Sequence, residues 1–190
     1  MTIELTLKSD NLIEFGFGKL IKGKEMQVYQ EYFPLIHPVL EECGIQPLLS
    51  FVVLATNTSS AIPDQGALTH VPSRESFVQF HNDHRFIEAK PIRDDAMEFL
   101  SSGNFFRSID KIITLDPDTD YALILSKGNP LNSNPLLKLS AAQDSLDQTY
   151  TGKTLTLHPW NDEAAQLIGE VENVSNETVV FKIHFNPSSS

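Results

Sequence analysis

Residues 24–43 most limit what this chain can fold into. Met26, Tyr29, Phe33, Ile36, Leu40 and Cys43 recur at steps of three and four, the spacing that lines one face of an α-helix. Gln27, Gln30, Glu31 and Glu41 take the other positions, and Gly44 stands where a helix C′ glycine belongs. Apolar runs flank this stretch. Residues 12–21 contain Phe15 and Phe17 and read as a strand, with Gly16 and Gly18 weakening it or allowing a bulge. Residues 47–56 bring Leu48, Leu49, Phe51, Val52, Val53 and Leu54 into one buried strand. A helix set between two such strands must lay its stripe on the sheet they build. Pro34 and Pro38 lie inside the helical stretch, so it is expected to bend or break there.

The same alternation continues downstream. Residues 57–66 form a polar, turn-rich loop with Pro63-Asp64, and residues 67–71 a short strand. Pro72-Ser73-Arg74-Glu75 opens a second helix with Ser73 as N-cap. Its apolar face carries Phe77, Phe80, His84 and Ile87, and Pro91 is expected to end or kink it. Residues 93–96 add a further turn, and residues 97–106 form a weak last strand interrupted at Gly103. The order β-α-β-β-α-β implies an α+β class: a ferredoxin-like antiparallel sheet with both helices on one face. The bare face needs cover, supplied by another subunit or by the rest of the chain.

The expected division is residues 1–108 and residues 109–190. In the second part, residues 121–126 and 154–158 read as strands. Residues 134–148 read as a helix with Leu136, Leu139 and Leu146 on one side, and Pro159 opens a short helix through Ile168. Residues 178–186 form the best strand, with Val179, Phe181, Ile183 and Phe185 alternating with Val180, Lys182 and His184. Leu68, Thr69, Pro72 and Gln79 recur as Leu155, Thr156, Pro159 and Gln166. The second part therefore reads as a shortened repeat of the first, with the second strand lost.

Composition narrows the class of function. The net charge of −11 repels nucleic acid and anionic membrane surfaces. Cys43 is the sole cysteine, so no intrachain disulfide forms, which suits a reducing, cytoplasmic setting. The opening ten residues lack the basic start and apolar block of a signal peptide, and no run is apolar for the ~20 residues a membrane span requires.

Pro63-Asp64, Ala67-Leu68-Thr69-His70-Val71, Pro72-Ser73-Arg74-Glu75, Phe86 and Pro91-Ile92-Arg93-Asp94, with Tyr32, Pro38 and Gly44 upstream, carry a family pattern. The stretch 10–108 resembles the dimeric α+β barrel superfamily, and within it small members related to antibiotic-biosynthesis-type monooxygenases. The resemblance implies a barrel built by a homodimer, or by a pseudo-dimer within one chain. It also implies a small-molecule site and no required cofactor. Shared fold does not transfer chemistry.

Candidate residues follow from type and position. His70 on the short strand and His37 between the two prolines are the imidazoles offered as general bases, and Arg93 or Arg74 would steady an anion. Phe15, Phe17 and Phe51 would line an apolar pocket between sheet and helices. His81 and His84, at i, i+3, have a spacing seen in metal sites but lack a third ligand, so no metal is expected. Cys43 lies on the apolar stripe and reads as core. Gly16-x-Gly18 is too short for a phosphate-binding fingerprint. Two functions fit: a module holding a small apolar ligand, and a cofactor-free monooxygenase or isomerase acting on a small aromatic or carbonyl compound.

Overall fold

The computed structural model describes residues 2–59, 61–169 and 177–185. Eleven strands and four α-helices are assigned among them. The first part contains β1 (Ile3–Leu7), β2 (Leu12–Leu20), a π-helical turn (Gln27–Tyr32), α1 (Phe33–Glu42), β3 (Gln46–Thr56) and β4 (Gln65–Val71). α2 (Arg74–Asn82), α3 (His84–Ala96), β5 (Met97–Ser101) and β6 (Phe105–Arg107) follow. The remainder supplies β7 (Lys111–Leu115), β8 (Tyr121–Ser126), β9 (Leu137–Ala141), β10 (Thr154–Pro159), α4 (Asp162–Gly169) and β11 (Val179–Phe185). No helix among the described residues is long and apolar enough to cross a membrane.

Eight strands close on themselves in the order β2–β4–β3–β11–β8–β10–β9–β6, and β6 returns to β2. Every pairing is antiparallel. The open sheet expected from residues 10–108 is thus one part of a closed barrel, and its bare face is covered by strands of the same chain. Closure removes the unpaired edges that would otherwise recruit another strand. β5 runs on along β2 beyond β6 and stays outside the closed ring.

Alternation divides the side chains between two layers. Ile13 and Phe15 of β2, Phe51 of β3, Leu68 of β4, Leu123 and Leu125 of β8, Leu155 and Leu157 of β10, and Phe181 of β11 fill the interior. Phe15 lies 5.1 Å from Phe17, 5.9 Å from Phe181 and 6.4 Å from Phe51, ring centre to ring centre. Gly66 is required here, because a Cβ would stand 2.5 Å from the Phe51 ring and 2.7 Å from the Gly16 carbonyl oxygen. β1 and β7 pair as a separate ribbon whose Leu5, Leu7, Ile113 and Leu115 join this core. The outer layer packs the π-turn, α1, α2 and α3 through Val28, Tyr32, Ile36, Phe77, Phe80 and Phe86 onto Leu20, Val71 and Phe105. A smaller cluster joins Ala164 of α4 to Ala122, Ile124 and Val180.

Four local expectations change, each for a physical reason. The bend before Pro34 is a π-turn, in which the Phe33 N–H reaches back to Val28 O; Pro34 then sits in the first turn of α1, where no N–H is needed. Pro38 and Pro91 lie inside α1 and α3 without ending them. The second helix instead divides at Asp83, whose extended backbone stops α2 and whose carboxylate accepts the Arg85 N–H at 2.8 Å to cap α3. Residues 134–148 contain β9 and turns, not a helix. Leu137 and Leu139 point inward two apart while Lys138 is exposed, and the ladder with β10 selects that period over the three-residue step from Leu136 to Leu139. The Ser73 cap is present, accepting the Ser76 N–H at 3.2 Å, and the last strand breaks at Gly103 into β5 and β6. The strand expected over 178–186 is β11, with Asn186 outside the described residues.

Candidate functional site

The residues singled out from sequence occupy separate layers. His37 lies on α1 with 68% of its side chain exposed, its Nδ1 3.9 Å from Glu41 Oε2. Arg74 is exposed at the start of α2. His70 is half-buried near the end of β4, opposite Ile13 and Gln46; burial depresses its pKa, and its Nε2 has no hydrogen-bond partner among the described residues. Arg93 is held in the helix layer, its guanidinium 5.7 Å from the Tyr32 ring centre and 5.6 Å from that of Phe86, while it donates to Asp94 Oδ1. Phe15 and Phe51 fill the barrel interior and do not line a space between sheet and helices. Phe17 packs on the same interior cluster from a partly exposed position. His81 and His84 diverge. His81 is wedged against Phe77, Phe80 and Phe86 with Nδ1 2.9 Å from Phe77 O, and His84 is largely exposed beside Asp83.

A different group stands out. Glu14 alternates with Ile13 and Phe15, so it faces the helix layer, and only 7% of it is exposed. Its neighbours across the sheet are Thr69 of β4 and Phe105 of β6. Oε1 accepts the Gly103 N–H at 3.0 Å. Burial pushes the carboxyl up from 4.5 to about 7, with the Gly103 hydrogen bond pulling weakly the other way. An ordinary buried carboxylate would be paired with a cation; among the described residues this one has a single backbone donor.

The elements around it explain how a carboxyl is kept there. Gly16, next on the same face of β2, leaves room: the nearest atoms to a Cβ built on it are the Glu14 carboxyl oxygens, both at 3.3 Å. Gly103 adopts φ +77°, which turns the chain between β5 and β6 and aims its N–H at Glu14. The segment after β9 clamps this kink. Leu146 N–H and Asp147 N–H donate to Gly103 O, and Ser145 Oγ accepts from Phe105 N–H at 3.0 Å. Asn104 beside it is 1% exposed, with Nδ2 donating to Ser101 Oγ and Oδ1 unpartnered among the described residues. Outside β5, a surface cleft of about 310 Å³ runs from Arg93 past Met97 to Ser102, the residue that precedes Gly103.

A carboxyl with a pKa near neutrality exists as both acid and base under ordinary conditions, the condition for general acid–base work. Glu14 was open to discovery from sequence, being the one charged residue in an otherwise apolar run from Leu12 to Gly18. The glycines beside it drew the strand reading toward a bulge. The signal was a strand-centre acid followed two residues on by a glycine, Gly16.

No protein-family model matches the chain, and no curated protein matches it. Solved structures do. An anthrone oxidase-like protein is 11% identical, with 98% of this chain and 97% of that one covered at a TM-score of 0.50. A mutant chlorite dismutase from Candidatus Nitrospira defluvii is 11% identical over 95% of this chain and 93% of that one, at 0.47. A heme-binding protein from Thermus thermophilus is 12% identical over 96% and 92%, at 0.41. At such identities the likeness is one of fold, and the resemblance of this chain to α+β barrel proteins holds at that level.

Proposed function

We propose that this chain is a one-chain α+β barrel that holds a small aromatic or carbonyl compound on the helix-facing side of its first half and transfers a proton to or from it, with Glu14 as the acid–base group and no cofactor. The observation that carries this is the buried Glu14 carboxyl raised to about 7 and held by the Gly103 N–H; the cleft that contains Arg93 ends at Ser102, the residue before Gly103. Deprotonated, Glu14 removes a proton from a carbon or hydroxyl next to the carbonyl. Protonated, it returns one to a neighbouring atom, which is the chemistry of an isomerase and the opening step of cofactor-free oxygenation. Arg93 at the far end of the cleft supplies positive charge for the oxygen on which charge develops.

The pseudo-dimer is part of the proposal, with residues 1–108 and 109–190 as diverged ferredoxin-like copies. β6–β2–β4–β3 and β11–β8–β10–β9 follow one strand order. Leu12↔Val71, Glu14↔Thr69 and Phe15↔Leu68 of the first half become Ala122↔His158, Ile124↔Thr156 and Leu125↔Leu155 of the second. The step from Leu68 to Leu155 read from the sequence is kept, and the element missing from the second half is the helix after its first strand, not the second strand. Ile124 takes the place of Glu14, so each barrel carries one acid–base site.

The test follows deuterium incorporation from D₂O next to the carbonyl of small aryl ketones by NMR, with wild type and Glu14→Gln. Wild type should accelerate exchange with a rate that rises to a plateau through pH about 7, and the variant should lose about 100-fold or more. Binding of the ketone with no exchange in either protein would instead make this a ligand-holding module. Sedimentation should give a monomer, since the barrel closes within one chain.

A further inference from the structure

The second half brings a serine and a histidine together away from Glu14. His158 stands on β10 in the place that Val71 holds on β4, on the face covered by α4. It is 0% exposed, and its Nε2 lacks any partner among the described residues. Buried imidazole nitrogens are nearly always hydrogen-bonded, so an orphan of this kind calls for an explanation. The other nitrogen, Nδ1, lies 3.3 Å from Ser133 Oγ, and Ser133 is only half-buried.

The loop between β8 and β9 holds Ser133 in place from both sides. Just before it, the Asn132 N–H and Nδ2 donate to the two carboxylate oxygens of Glu163 at 3.1 and 2.8 Å. Just after it, Leu136 N–H donates to Leu157 O at 2.8 Å. Ser133 is thus a hydroxyl on a loop tied to α4 and β10, with a base beneath it and solvent on its other side.

We propose that Ser133 and His158 form a nucleophile–base pair, a second reactive site distinct from Glu14, that takes small activated esters. With the ring proton on Nε2, Nδ1 accepts the Ser133 hydroxyl proton as Oγ attacks. The new bond joins Oγ to the acyl carbon, and the bond to the alkoxy oxygen breaks. The alkoxide leaves with the proton that His158 received. Water then attacks the acyl-serine, giving its proton to Nδ1, and Oγ recovers it as the acid departs. Burial depresses the His158 pKa, and Glu163, which anchors the Ser133 loop, partly offsets that by favouring the protonated ring that this step creates.

The probe is diisopropyl fluorophosphate. Oγ bonds to phosphorus, fluoride leaves, and the proton passes to His158. Peptide mass spectrometry should find one adduct, on Ser133, and Ser133→Ala should abolish it. His158→Gln should slow labelling by roughly 100-fold. Should His158→Gln fail to fold, the pH profile of wild-type labelling decides. A rate that follows a single ionisation below the ordinary histidine range supports the pair; a rate simply proportional to hydroxide overturns it. No adduct, an adduct elsewhere, or unchanged labelling in a folded His158→Gln protein also overturns it.

Discussion

Replacing Glu14 with glutamine should remove one pH-dependent contribution to stability. Unfolded, the glutamate titrates near its ordinary 4.5; folded, it titrates at about 7. The folded state therefore holds this proton more tightly, and its contribution is fully present below 4.5 and lost as pH rises through 7. At 1.36 kcal/mol per pH unit the difference is about 3 kcal/mol. With Glu14 only 7% exposed, solvent does little to reduce that figure. Glutamine keeps the oxygen that accepts the Gly103 N–H and cannot ionise. Near pH 4.5 the two proteins should unfold at similar denaturant concentrations. Near pH 8 the variant should be more stable by about 3 kcal/mol, because wild type carries a buried carboxylate without a cation. Urea unfolding at both pH values measures this. The depressed histidines His70, His81 and His158 are common to both proteins and cancel in the difference. Two stability curves that run parallel across this pH range would refute the assignment, and so would a Glu14 carboxyl carbon whose NMR titration is centred near 4.5.

Gly66→Ala should destabilise by about 1–3 kcal/mol in thermal unfolding, since the Phe51 ring and the fixed Gly16 carbonyl occupy the space a methyl needs. Phe15→Ala should cost about 3–5 kcal/mol by opening a void in a filled barrel, measured by urea unfolding at about pH 7; a loss under about 1 kcal/mol would mean the interior is not close-packed. Ser73→Ala should cost about 1 kcal/mol, and Ser73→Asp should restore most of it, if the cap on Ser76 N–H anchors α2.

Parts of the site could be read locally and parts could not. Arg93 stands out in the sequence as the cation after Pro91, and the structure puts it in the lining of the cleft beside β5. His37 and His70 stand out by residue type and place in the chain, neither of which gives the direction of a side chain; one faces solvent and the other lies near the end of β4. Glu14 owes its raised pKa to burial, and its hydrogen-bond donor, Gly103, lies 89 residues further on at a kink clamped by the segment around Ser145.

The strand–helix–strand–strand run from β2 to β4, the Ser73 cap, the break at Gly103 and the pattern of β11 rest on periods of two and three to four and on the backbone limits of glycine and proline. Those are properties of neighbouring residues, and sequence alone determined them. Closure of eight strands into one barrel, the choice of strand over helix for Leu137–Ala141 and the near-neutral carboxyl of Glu14 were decided only by the tertiary structure. Each depends on which distant segment lies alongside. Pairing and desolvation act between surfaces, and no local pattern states which surfaces will meet.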